Sequence, residues 1–372
     1  MTNRTPEAAP TAEPVSAAVD HPVVVATNGQ NGSDALRAAA SLAAHHGSKV
    51  VVVSVIDPEP TLTYEPELGF LSPEYEAMRR KTRLADVRKQ LGRMPGGAVD
   101  WPTEIRFGTA AESITDEARR LSAWLIVMES GRHDPIARLL AGETTLRTIR
   151  RAGSPVLAVN GELAAPPRVA VAAMDFSPSS ISAARSALDL LADGATLFLL
   201  HIWSRSASDH PSERARDDAY ERKLGGLFSR VEEILHARPG ITIRHVSLLG
   251  APVPAILEFA TSHGADLISA GRRGHGLFER LLVGSVTTAL VRGASCSVLV
   301  TPEPVSTEAD ELARSVTGVF ESRAPQEWAD LLERFSRRNA GRRTLLEVDD
   351  ARIGTQMQAT GYALLGASYD RN

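Results

Sequence analysis

Ala265-Asp266-Leu267-Ile268-Ser269-Ala270-Gly271-Arg272-Arg273-Gly274, with Gly284-Ser285-Val286 after nine further residues, is the stretch that decides how this chain folds. An apolar run ends in glycines and leads into the helix-like Val286-Thr287-Thr288-Ala289-Leu290-Val291, which reads as strand, loop and helix. Such a loop can hold phosphate. Glycines let main-chain N–H groups approach an anion, and the first-turn amides of a helix add a favourable dipole. Ser285 can cap that helix and still offer its hydroxyl to a phosphate oxygen. Glycines at strand ends also serve tight turns and close helix–sheet packing, so the loop alone leaves two readings open.

Working outward, the loop belongs to a repeat. Gly108, Ile114, Leu125-Ile126, Leu139-Leu140 and Gly142 recur as Gly250, Ile256, Leu267-Ile268, Leu281-Leu282 and Gly284, always 142 positions on. Upstream, Pro22-Val23-Val24-Val25-Ala26-Thr27-Asn28 matches Val169-Ala170-Val171-Ala172-Ala173-Met174-Asp175 at a slightly different offset, as a loop of changed length requires. The chain therefore reads as two copies of one domain, over 21–161 and 167–302, with a linker at 162–166.

Within each copy short apolar runs alternate with longer amphipathic ones. The second copy predicts strands over 169–174, 196–203, 241–248, 266–270 and 297–301, and helices over 179–192, 212–236, 253–263 and 285–293. In the first copy, Val50-Val51-Val52-Val53-Ser54-Val55-Ile56 is a strand to be buried on both faces. Strict alternation predicts an α/β fold: two doubly wound, parallel, five-stranded sheets with right-handed crossovers. Ligands of such sheets lie at the carboxyl ends of the strands, where the loop after the fourth strand falls.

With these residues assembled, the two copies resemble tandem universal stress protein domains. The resemblance rests on Asp175-Phe176-Ser177, His201-Ile202, Gly250-x-Pro252 and the Gly-x2-Gly-x9-Gly-Ser loop. It implies a Rossmann-like fold and, in members carrying this loop, ATP as ligand, with Mg2+ held mainly by the phosphates. By the same resemblance, Asp175 stands near the ribose or the adenine edge, beside Ala173 and Met174, and Ile202 offers its backbone to the adenine. Ala270, Gly271, Gly274, Gly284, Ser285 and Val286 match the phosphate-binding positions. Arg272 and Arg273 can pair with phosphate oxygens or stand as solvated surface charges. The role implied is a cytoplasmic, nucleotide-responsive regulator of stress survival, as a homo-oligomer or an intramolecular domain pair. The last strand, 297–301, resembles the edge by which family members dimerise. A slow ATPase or nucleotidyl-transfer enzyme on the same loop, and a nucleotide-free scaffold, are the alternatives.

The first copy departs from the pattern. At the 142-residue offset Gly271 becomes Glu129, Gly274 becomes Arg132 and Ser285 becomes Glu143, while Asn28 replaces Asp175. Each close pairing of a carboxylate with phosphate costs on the order of 1–4 kcal/mol, depending on local dielectric. The first copy is therefore expected not to bind ATP in the family manner, but to pack against the second. A site shifted onto Ser130-Gly131 is the competing possibility.

Composition narrows the remaining classes. With 43% hydrophobic residues the 372-residue chain can build packed cores, and a formal charge of −4 argues against a nucleic-acid partner. The single cysteine, Cys296, rules out an internal disulfide framework and is expected to be a buried, inert thiol. No apolar run reaches membrane-spanning length, so no membrane partner is expected. Residues 1–20 read as a disordered leader rather than a secretory signal. None of the ten histidines has metal-ligand spacing, and His201 is expected in or near the core. Beyond a polar linker at 303–324, residues 325–372 form a small α+β tail resembling an uncharacterised bacterial domain. There Pro325 opens a helix, and strands fall at 344–348 and 362–365.

Overall fold

The computed structural model of the chain describes residues 21–30, 33–57, 73–94, 100–130, 135–203, 211–272 and 283–303, and two strands at 343–350 and 354–363. The leader, the helix expected from Pro325, and Arg132, Arg273, Gly274 and His275 lie outside the described residues.

The first half runs β1 (Val23–Ala26), α1 (Ser33–His46), β2 (Val50–Ile56), α2 (Pro73–Leu91), β3 (Thr103–Phe107), α3 (Ala110–Arg120), β4 (Leu125–Glu129), α4 (Pro135–Arg151) and β5 (Val156–Val159). The second repeats it as β6 (Val169–Ala173), α5 (Pro178–Leu190), β7 (Thr196–Trp203), α6 (Pro211–Leu235), β8 (Thr242–Leu249), α7 (Pro252–Ser262), β9 (Leu267–Gly271), α8 (Ser285–Gly293) and β10 (Ser297–Thr301). Each half is the doubly wound, five-stranded parallel sheet expected, and the two join. β5 and β10 pair antiparallel, with Val300 opposite Val156 and Val298 opposite Ala158, giving one ten-stranded sheet ordered β3-β2-β1-β4-β5-β10-β9-β6-β7-β8. The edge strand expected to pair two copies of the chain thus pairs the two halves of one.

The repeat extends to single hydrogen bonds. Ser130 N donates to Val159 O at 2.9 Å, and Arg272 N, 142 residues on, to Thr301 O at 2.8 Å. Thr145 Oγ1 reaches Glu129 O at 3.2 Å, and Thr287 Oγ1 reaches Gly271 O at 2.7 Å.

Two apolar layers sandwich the sheet. One packs Leu36, Leu42, Phe176 and Val231 against one face, the other Ile114, Ile149, Phe259 and Leu290 against the opposite face. Both draw residues from both halves, so burial of apolar area is continuous across the β5–β10 seam. Cys296, flanking β10, is half-buried rather than fully buried. The tail strands β11 (Arg343–Asp350) and β12 (Gly354–Ala363) form an antiparallel pair. β12 starts well before the apolar residues that predicted it, because Thr355, Gln356 and Met357 extend the ladder.

Candidate functional site

In the second half β6 lies between β9 and β7, so the chain winds outward to β8 and then returns to β9 on the other side of β6. That reversal opens a crevice at the carboxyl ends of β6 and β9. Ala173 ends β6 and Met174 follows it, Ile202 lies near the end of β7, and Ala270 and Gly271 end β9. The structure therefore brings the described candidates to one end of the sheet.

Asp175 begins a tight turn. Its Oδ1 accepts from Ser177 N at 3.0 Å, and Ser177 Oγ accepts from Ser180 N at 3.2 Å as the cap of α5. Between them Phe176 adopts φ +63, a left-handed conformation unusual for a bulky residue. Full burial fixes it, with its ring 4.9 Å from His201 and 5.1 Å from Phe228. His201 is buried as expected, and it ties the turn to two other elements. Its Nδ1 lies 2.7 Å from Met174 O, and its Nε2 lies 2.8 Å from the hydroxyl of Tyr220 on α6. Burial, then the nearby Asp175 charge, push the Tyr220 hydroxyl above its ordinary value. Sequence reasoning missed Tyr220: α6 follows a loop of different length in each half, so no offset marks it.

The two described loop glycines differ in kind. A Cβ on Gly271 would stand 2.5 Å from Ser179 Oγ and 2.7 Å from Ser179 C, so the contact of β9 with α5 alone demands glycine. Its carbonyl is taken by Thr287. Gly284 has φ −57 and ψ 148, open to any residue, so its backbone does not require glycine. Gly284 N donates to Arg272 O at 2.8 Å, closing the loop beneath α8. The amides of Ser285 and Val286, as first-turn groups, have no intrahelical acceptor. Two such donors at a helix start, with a half-buried Gly284 as cap, suit an oxyanion.

Arg272 goes elsewhere. Its Nη1 donates to Ala152 O at 3.1 Å and Arg150 O at 3.3 Å, at the carboxyl end of α4 in the first half. Asn160 Nδ2 reciprocates across the seam, donating to Ala294 O at 2.8 Å at the end of α8.

The first half keeps the frame and loses the seat. Asn28 Oδ1 accepts from Gln30 N at 2.9 Å, the same turn Asp175 makes. Arg83 from α2 donates to Val55 O at 3.0 Å and to Ser54 Oγ at 3.3 Å, where the second half has Ile202 and His201. Helix α4 starts at Pro135, so Glu143 is inside the helix, paired with Arg147 at 2.7 Å. Where α8 presents free amides, α4 has already consumed them. Among the described residues no group of His, Cys, Asp and Glu could hold a metal ion, and no helix is long and apolar enough to cross a membrane.

Comparison with known proteins agrees with this architecture. The universal stress protein family matches residues 21–160 and again 168–302, and the chain belongs to that family. A family of unknown function, DUF5335, matches residues 321–372. A universal stress protein of Mycolicibacterium smegmatis is 26% identical over 297 residues, 77% of this chain and 98% of its own length. One from Mycobacterium tuberculosis is 26% identical over 294 residues, 75% of this chain and 96% of the relative. Among solved structures, a universal stress protein from Archaeoglobus fulgidus covers 78% of this chain and 99% of its own at TM-score 0.50 and 18% identity, a likeness of fold.

Proposed function

We propose that the second domain binds ATP, with Mg2+ held mainly by the phosphates, and that the first domain serves as its packing partner. The observation that carries this is the contrast in helix starts. α8 begins at Ser285, beside the end of β9, whereas the equivalent helix of the first half begins at Pro135 and runs through the same place. Ser285 and Val286 supply amides to the phosphates, and the crevice between β6 and β9 takes the nucleoside. Asp175 and the backbone of Ile202 provide acceptors there, with Ala173, Met174 and Ala270 forming its floor, and Gly274 is assigned to the phosphates from the sequence alone. Arg272 acts first as a link between the halves, since its guanidinium is committed to the end of α4.

The role that follows is a nucleotide-responsive regulator of stress survival, located in the cytoplasm, with slow turnover or none. Mass spectrometry of the ligand released from purified full-length protein tests it: adenine nucleotide at near-stoichiometric amount is expected. Protein that carries none, and takes up none from millimolar ATP with magnesium, overturns it.

A further inference from the structure

The ten-stranded sheet ends in two edges that the chain treats differently. β3, at one end, has five residues, none of them exposed, and Arg80 Nη1 from α2 donates to Ile105 O at 2.7 Å. β8, at the other, has eight residues and is exposed except at Ile243 and Val246, with Leu248 36% and Leu249 53% accessible. Thr242 N donates to Ala195 O and Gly250 N to Trp203 O, so in this parallel ladder the even-numbered residues bond to β7. The N–H and C=O groups of Ile243, His245, Ser247 and Leu249 therefore face away from β7, and among the described residues no strand lies beyond them. Arg244 lies over the Phe198 ring and His245 pairs with Glu232 at 2.9 Å, but neither contact uses that main-chain edge. A long open edge is a template for a further strand.

The tail holds a strand in need of a neighbour. β11 and β12 form a two-stranded sheet of their own, and a hairpin is marginally stable without a third strand. We propose that β11 adds antiparallel to the outer edge of β8 in the same chain, seating the tail on the second domain. In the register that sets Arg244 opposite Asp350, Val246 falls opposite Val348, Leu248 opposite Leu346 and Leu249 opposite Leu345. An opposite-charge pair and three apolar pairs thus coincide, and both exposed leucines gain apolar neighbours. In the same register Ser247 meets Glu347 and His245 meets Asp349. A slip of one residue instead sets Glu347 against Val246 and Leu346 against Ser247. The chain has the reach: β8 stands four strand spacings from β10, about 19 Å, and residues 304–342 lie between Glu303 and β11.

Disulfide trapping in the full-length chain tests this, in a Cys296→Ala background so that only introduced thiols react. Leu248→Cys with Leu346→Cys puts directly opposite Cα atoms within disulfide reach, and a bond within one chain is expected, seen by mass spectrometry. Leu248→Cys with Leu345→Cys, one step away and on the other face, is expected to stay reduced. Hydrogen exchange on protein without introduced cysteines gives an independent reading. Leu346→Lys is expected to speed exchange of the Ile243, His245, Ser247 and Leu249 amides at least about tenfold, the worth of one hydrogen bond. The amides of Arg244, Val246 and Leu248, bonded to β7, are expected to keep their rates. A bond in neither cysteine pair, or as readily in the slipped one, overturns the proposal. So do outward amides that exchange equally fast with and without Leu346→Lys. A bond between chains rather than within one assigns the edge to a second copy and overturns it as well.

Discussion

At the scale of single residues, two glycines that look alike in the sequence have separate causes. Gly271 is imposed by packing, because α5 places Ser179 where its side chain would be. Gly271→Ala should cost about 1–3 kcal/mol of stability, since backbone atoms of Ser179 must move, and urea unfolding measures this. Gly284 is not imposed by its dihedral angles, and Gly284→Glu should leave stability within about 0.5 kcal/mol. The same change should abolish measurable ATP binding, because a carboxylate then overhangs the amides of Ser285 and Val286. A third residue governs acid stability. Glu117 on α3 is buried, and hydrogen bonding from Arg120, aided by Arg106, holds its carboxyl below the usual range against the effect of burial. A depressed folded value stabilises the protein above the ordinary carboxylate range, and that contribution is lost as pH falls through the folded value. Glu117→Gln should therefore cost about 1–3 kcal/mol at neutral pH. It should also flatten the fall in stability below about pH 4, read from urea unfolding across pH.

At the scale of elements, the strands were legible because buried parallel strands are written as runs such as Val50–Ile56, and the 142-residue offset located the loop, β9 and α8. The same offset also pairs Thr145 with Thr287, a signal available in the sequence for the hydroxyl that holds the end of each fourth strand. Other features were not legible. Nothing local states that Arg272 crosses to α4, because its acceptors are main-chain carbonyls, which have no sequence signature. The early start of α4 was hidden as well. Pro135-Ile136-Ala137-Arg138 is a good helix opening, but at the 142-residue offset it stands opposite the glycine loop of the second copy. The resulting seam has a cap from each half, Asn160 on α8 and Arg272 on α4. Asn160→Ala should lower stability by about 0.5–1.5 kcal/mol, the worth of one hydrogen bond to a helix end, measured by chemical denaturation with the Arg272→Ala variant alongside.

At the scale of the whole molecule, the antiparallel β5–β10 pair makes one sheet and two shared apolar layers from two copies of a domain. The first copy lost its helix start at the crevice and placed Arg83 over the end of β2, yet kept every strand and the turn at Asn28. Its preserved frame is what completes the sheet beside β10. The most direct measurement of this division is the number of ATP molecules bound per full-length chain, by titration calorimetry with magnesium. One per chain, removed by Gly284→Glu, is the result expected. Two per chain, none, or one that survives Gly284→Glu would contradict the assignment of the seat to α8.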